Sequence, residues 1–201
     1  QARPETLAES AYAGLTRFLD AMSWEERIPP LRAALIEPVD RNETYSASAL
    51  YAGALVRELL PEITKRAPHG MRIGMGASRG ALAMLHAHER HPKSFDGLLL
   101  QSGSFFRQRY DKQESEFPRY RRITRFVGEV LRRADVERTI PVAITCGTGA
   151  ENRSNNADLA AALTDQGNPT WCAAVPLATT WTASPPASRP PPPARIQPPP
   201  D

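Results

Sequence analysis

The chain has 201 residues, of which 41% are hydrophobic, 23% charged and 7% aromatic, and its 12 glycines complete the apolar share expected of one globular domain. It has no run of about 18 uncharged apolar residues, and Gln1-Ala2-Arg3-Pro4-Glu5 is unlike a signal peptide, so a cytoplasmic protein with no membrane partner is expected. A formal net charge of +3, with basic residues mostly dispersed, gives no nucleic-acid signature.

From Thr6 to Met22, Leu7, Tyr12, Leu15, Phe18, Leu19 and Met22 recur at helical spacing, and Pro29-Pro30 breaks the pattern. Leu31 to Ile36 is a short strand candidate closed by Pro38. Leu50, Ala54, Leu55, Leu59, Leu60 and Ile63 predict a helix to about Lys65, with a kink at Pro61. Arg72 to Gly76 reads as a strand, Gly80 to His91 as a helix stopped by Pro92, and Phe95 to Gln101 as a buried strand.

Residues 120 to 133 look helical, Pro141 to Cys146 is another buried strand, and Asn156 to Gln166 a helix stopped by Gly167-Asn168-Pro169. Arg119, Arg121, Arg122, Arg125, Arg132 and Arg133 cluster around the first of these helices, as a solvated face or as an attractor of an anionic substrate or partner. The two cysteines, Cys146 and Cys172, are too few for a disulfide framework or a cysteine-based zinc site and are assigned no function. Alternating strands and helices predict a mainly parallel sheet with helices on both faces. Ten of the 20 prolines lie within residues 176–200, so residues 184–201 are expected to be a proline-rich disordered tail after a domain spanning 1–183.

Gly76-Ala77-Ser78-Arg79-Gly80 matches G-x-S-x-G between a strand and a helix candidate, the context of a nucleophile elbow. There the outer glycines let strand and helix approach, the serine oxygen is exposed at a sharp turn, and the Arg79 amide can stabilise an oxyanion. The alternative is a glycine-rich turn with an N-cap serine. A serine hydroxyl needs an imidazole base, which in this fold follows the serine in the chain. The four histidines are His69, His86, His88 and His91; three belong to the helix leaving the turn, and none follows residue 91. His69, in a Pro-His-Gly turn, is the first to test as a substitute base.

Pro38-Val39-Asp40-Arg41-Asn42-Glu43-Thr44-Tyr45, Gly76-Ala77-Ser78-Arg79-Gly80-Ala81-Leu82, Leu100-Gln101-Ser102-Gly103-Ser104-Phe105, and Cys146-Gly147-Thr148 followed by Glu151-Asn152 stand in order along the chain. Over about residues 28 to 168 the sequence resembles the enterochelin-esterase-like family of α/β-hydrolases. The resemblance implies an α/β-hydrolase-like fold and a serine esterase without metal or cofactor that acts on a small-molecule ester, a catecholate siderophore lactone being the substrate class. It further implies Ser78 as nucleophile, an acid from the loop after the Cys146 strand, and a substrate-side role for Arg41.

Glu151 is the candidate acid or else an exposed residue before the next helix, and Asp158 is a weaker choice inside that helix. Asp40, Arg41, Glu43 and Tyr45 also fit a local network that fixes their turn. The sequence departs from the family twice. Ala178-Thr179-Thr180-Trp181 stands about where the family places its histidine, and the proline run that replaces the closing helix looks like a reading-frame change, in which Leu177 to Thr180 can encode Gly-His-Asp. The family's first strands are also missing at the front, so an incomplete domain is expected. A non-catalytic hydrolase-like protein or defective fragment is the competing reading.

Overall fold

The computed structural model describes residues 13–66, 68 and 70–176. Contacts divide the chain into a unit formed by Arg32–Thr180 and a second one that includes Gln1–Leu31. The described part of the latter holds helix α1, Ala13–Trp24, with Leu15, Leu19 and Met22 half-buried along one stripe. The earlier part of the expected helix, Thr6 to Tyr12, and the proline-rich tail lie outside the described residues.

The Arg32–Thr180 unit begins with chain that has no regular structure, and here the structure corrects the sequence reading. Residues 31–38 form no strand, and Leu31 and Leu35 are exposed. Their apolar positions do not alternate and prolines stand on both sides, so the segment has neither a buried face nor a ladder to join. The Tyr45 hydroxyl, donating to the Ile36 carbonyl at 3.0 Å, fastens it.

Helix α2, Arg41–Thr44, is a single turn capped by Asp40, whose carboxylate accepts from the amides of Asn42 and Glu43 at 2.9 and 3.2 Å. Helix α3, Ala49–Ala54, is capped by the Ser48 hydroxyl and passes through a π-helical segment, Leu55–Leu59, into α4, Leu60–Arg66. The wide turn sits directly before Pro61, whose ring and missing N–H are incompatible with a regular bond to the carbonyl four residues back. A π-bulge therefore replaces the expected kink.

Four parallel strands follow: β1, Ile73–Ala77; β2, Gly97–Gln101; β3, Val142–Gly147; and β4, Thr170–Val175, in the order β1-β2-β3-β4. They are joined through α5, Arg79–Arg90; α6, Tyr120–Arg132; and α7, Arg153–Asp165. Each expected strand and helix of this stretch is present within a few residues of its expected bounds, and β4 is an addition. The register pairs Met75 with Leu99, Leu99 with Ala143, and Ala143 with Trp171.

The fold is a mainly parallel, α/β-hydrolase-like one. Leu98, Leu100, Val142 and Ile144, on one face of the sheet, are buried with Leu82 and Leu85 of α5, Ile123, Val127 and Val130 of α6, and Leu159 and Leu163 of α7. On the opposite face Ile73, Met75 and Trp171 are exposed. Among the described residues β1 and β4 are the two edge strands of the sheet. No helix of the described residues is long and apolar enough to cross a membrane.

Candidate active site

Because the strands are parallel, the ends of β1, β2 and β3 meet along one edge of the sheet, and Ser78 stands there between β1 and α5. Its backbone has φ +55° and ψ −123°, a region that residues with a Cβ avoid. Three hydrogen bonds and one close backbone approach hold it there. Its amide donates to the Gln101 carbonyl at 2.8 Å, its carbonyl accepts from the amides of Ala81 and Ser104 at 3.1 Å each, and a Cβ added at Gly76 would lie 2.4 Å from the Gly80 backbone. The sequence assigned the close approach to both outer glycines, and the structure requires it only of Gly76. A Cβ at Gly80 meets nothing within 4 Å, whereas at Gly76 it would strike the helix backbone at Gly80 and Ala81.

The Ser78 hydroxyl lies 3.1 Å from the hydroxyl of Ser104, which is buried in the loop after β2. That loop is strapped to α7. Asn152 donates to the carbonyls of Ser102 and Gly103 at 2.6 and 3.0 Å, while buried Asn156 accepts from the Gly103 amide at 2.9 Å and donates to its carbonyl at 3.0 Å. Ser102 has φ +42° at the start of this loop. In the sequence, Ser102-Gly103-Ser104 and Asn152 stand as motif residues without a role and Asn156 only as the start of a helix; the asparagine-rich stretch Asn152-Arg153-Ser154-Asn155-Asn156 is the signal that marks the strap.

Arg79, at the first position of α5, has an amide with no acceptor inside the helix, as the sequence expects of an oxyanion donor. Its guanidinium bonds to the Asn42 side chain and lies 5.1 Å from the centre of the Phe117 ring. Burial and the nearby positive charge of Arg41 lower its affinity for a proton. Arg41 is thus near Arg79, on the exposed surface of α2. Asp40, Glu43 and Tyr45 belong to the network that fixes this turn. Glu43 pairs with Arg119 at 2.5 Å and Arg122 at 2.6 Å, and these two arginines hold its carboxyl below the ordinary range.

Glu151 is exposed in the turn between β3 and α7 and makes no hydrogen bond or ion pair within the described residues. Asp158 is engaged elsewhere, in ion pairs with Arg107 and Arg109. His86 and His88 are packing residues of α5, each pushed down to about 4, mainly by burial. None of the described histidines bonds to Ser78. His69 and Thr179 lie outside the described residues.

Several esterases of known structure share this arrangement of elements. An enterobactin esterase from Shigella flexneri, solved in the presence of enterobactin, superposes with a TM-score of 0.68 at 21% identity, over 87% of this chain and 44% of that one. A ferulic acid esterase gives 0.66 at 16% identity, over 87% and 72%. The fold is that of the enterochelin-esterase-like esterases. A ferric enterobactin esterase from Salmonella typhimurium agrees at 0.58 and 24% identity, over 79% of this chain and 40% of that one. The chain therefore spans less than half the length of these enterobactin esterases. No family model and no curated protein matches the sequence.

Proposed function

We propose that this enterochelin-esterase-like fold carries the nucleophile side of a serine carboxylic-ester hydrolase, with an acyl-enzyme formed on Ser78. The observation that carries this reading is the forced φ of +55° at Ser78, a strain with a clear use only if the hydroxyl must stand out of the turn. In the reaction the Ser78 oxygen bonds to the ester carbonyl carbon, the carbonyl oxygen becomes an oxyanion beside the Arg79 amide, and the ester C–O bond breaks. The alcohol leaves with the proton taken from the serine, and water then cleaves the acyl–serine bond and restores the hydroxyl.

Glu151 is the acid in this scheme and Arg41 contacts the substrate. With Arg79, Arg41 puts two positive charges near the serine, which suits an anionic ester such as a catecholate siderophore lactone, the class to which the names of the neighbours also point. A second reading, a non-catalytic hydrolase-like protein, is favoured by one observation: within the described residues the Ser78 hydroxyl meets another hydroxyl instead of an imidazole. A fluorophosphonate probe separates the two. Stoichiometric labelling of folded protein at Ser78, lost in Ser78→Ala, is the expected result; absence of labelling overturns the esterase reading.

A further inference from the structure

A cleft of about 770 Å³ lies away from the serine, between α5, α6 and the start of α3, and Ser78 does not line it. Its walls bring four arginines, Arg90, Arg122, Arg125 and Arg133, against three glutamates, Glu43, Glu89 and Glu129. Most of these charges are already matched. Arg122 is spent on the Glu43 carboxylate at 2.6 Å and on the carbonyls of Ser46 and Glu43 at 2.5 and 2.8 Å, and Arg133 pairs with Glu89. Arg90 and Arg125 are exposed and form no ion pair among the described residues, which leaves two free cations against the single carboxylate of Glu129.

The floor of the cleft holds a second, independent feature. His86 is only 6% exposed and lines the cavity, yet its ring makes no hydrogen bond among the described residues. Its ring packs edge-on against Phe126 with 4.8 Å between centroids, which fixes its orientation. Neither ring nitrogen is sealed off from the cleft, so the N–H of His86 is open to an acceptor that enters it. Burial, Arg90, Arg122 and His91 keep it neutral near pH 7, so it offers one donor and one acceptor there.

We propose that this cleft binds a phosphate-class anion, held by the guanidinium groups of Arg90 and Arg125 and by the N–H of His86. Arginine forks match phosphate oxygens bidentately, and the volume leaves room for more than a single phosphate group. The site is separate from Ser78 and does not depend on the esterase reading.

The test is calorimetric titration of inorganic pyrophosphate and, separately, of a sugar phosphate into the full chain at constant ionic strength. Saturable binding of either supports the site and tells which phosphate it takes; the absence of binding by both overturns it. The double variant Arg90→Ala/Arg125→Ala changes two exposed side chains without ion pairs, so its thermal midpoint stays within a few degrees while affinity falls about tenfold or more. His86→Phe keeps the ring on Phe126 and weakens binding several-fold. Undiminished affinity in the double variant, or a thermal shift that sodium chloride reproduces, refutes the proposal.

Discussion

The buried histidine His88 makes stability depend on pH in a way that one substitution isolates. It sits on α5 at 5% exposure, with its Nδ1 buried and unpaired, and burial together with Arg138 holds it down to about 4. In the unfolded chain it titrates near 6.5, so between these values the unfolded state binds a proton that the folded state rejects. Stability is therefore full above about pH 6.5 and is lost as the pH falls. From pH 7 to 5 the unfolded state gains about 1.5 pH units of protonation free energy at roughly 1.4 kcal/mol per unit, or about 2 kcal/mol for this residue. His86, with the same direction and depth, adds a similar amount. His88→Leu removes one of the two contributions and the orphaned nitrogen, while the Arg138–Asp96 pair at 2.8 Å stays intact. Urea unfolding at pH 7 and pH 5, followed by circular dichroism at matched ionic strength, measures the difference. Wild type loses about 4 kcal/mol over this interval and His88→Leu about 2. An equal loss in both proteins refutes the assignment of this pH dependence to a neutral, buried His88.

Gly76→Ala should cost about 3 kcal/mol or prevent folding, since its Cβ would meet backbone at 2.4 Å, whereas Gly80→Ala in the first turn of α5 should leave stability equal or raise it by up to about 1 kcal/mol. Thermal melts of the two variants check the contrast, which fails if both behave alike. Ser78→Gly should be more stable than Ser78→Ala by about 1 kcal/mol, because both lose the hydroxyl but only glycine accepts φ +55° without strain; equal melting temperatures would show the turn to be unstrained. Asn156→Leu leaves the Gly103 amide without its partner in a buried site, while the Gly103 carbonyl keeps Asn152, and chemical denaturation should show a loss of about 1–3 kcal/mol. A loss below about 1 kcal/mol would mean that the strap carries little of the loop.

What the sequence made legible follows physical range. The apolar runs Leu98-Leu99-Leu100 and Val142-Ala143-Ile144 declare themselves as strands because burial on a parallel sheet requires it, and Ile123, Val127 and Val130 mark the buried stripe of α6 through helical spacing. The turn at Ser78 was equally readable, since its glycine, serine and flanking elements are contiguous. Leu31 to Ile36 misled because a strand also needs a neighbour, which no local pattern supplies. Thr170 to Val175 hid for the opposite reason: its apolar residues do not outline a buried face, and pairing with β3 alone makes it a strand. The approach of Ser104 to Ser78 spans 26 residues and is set by Asn152 and Asn156 from another helix, so it exists only after the chain has folded.

The π-helical segment Leu55–Leu59 also says something about chain length. Leu55 and Leu60 are both buried, five residues apart, where a regular helix would return to the same side after four. The wide turn absorbs one surplus residue and restores the phase of the helix beyond it, as an inserted beat restores a rhythm. Length can therefore change by one here without rotating the rest of the helix off the core. Removing Glu58 would bring the two leucines to ordinary spacing, and the turn that now swells before Pro61 marks the place where this chain can best tolerate a lost codon.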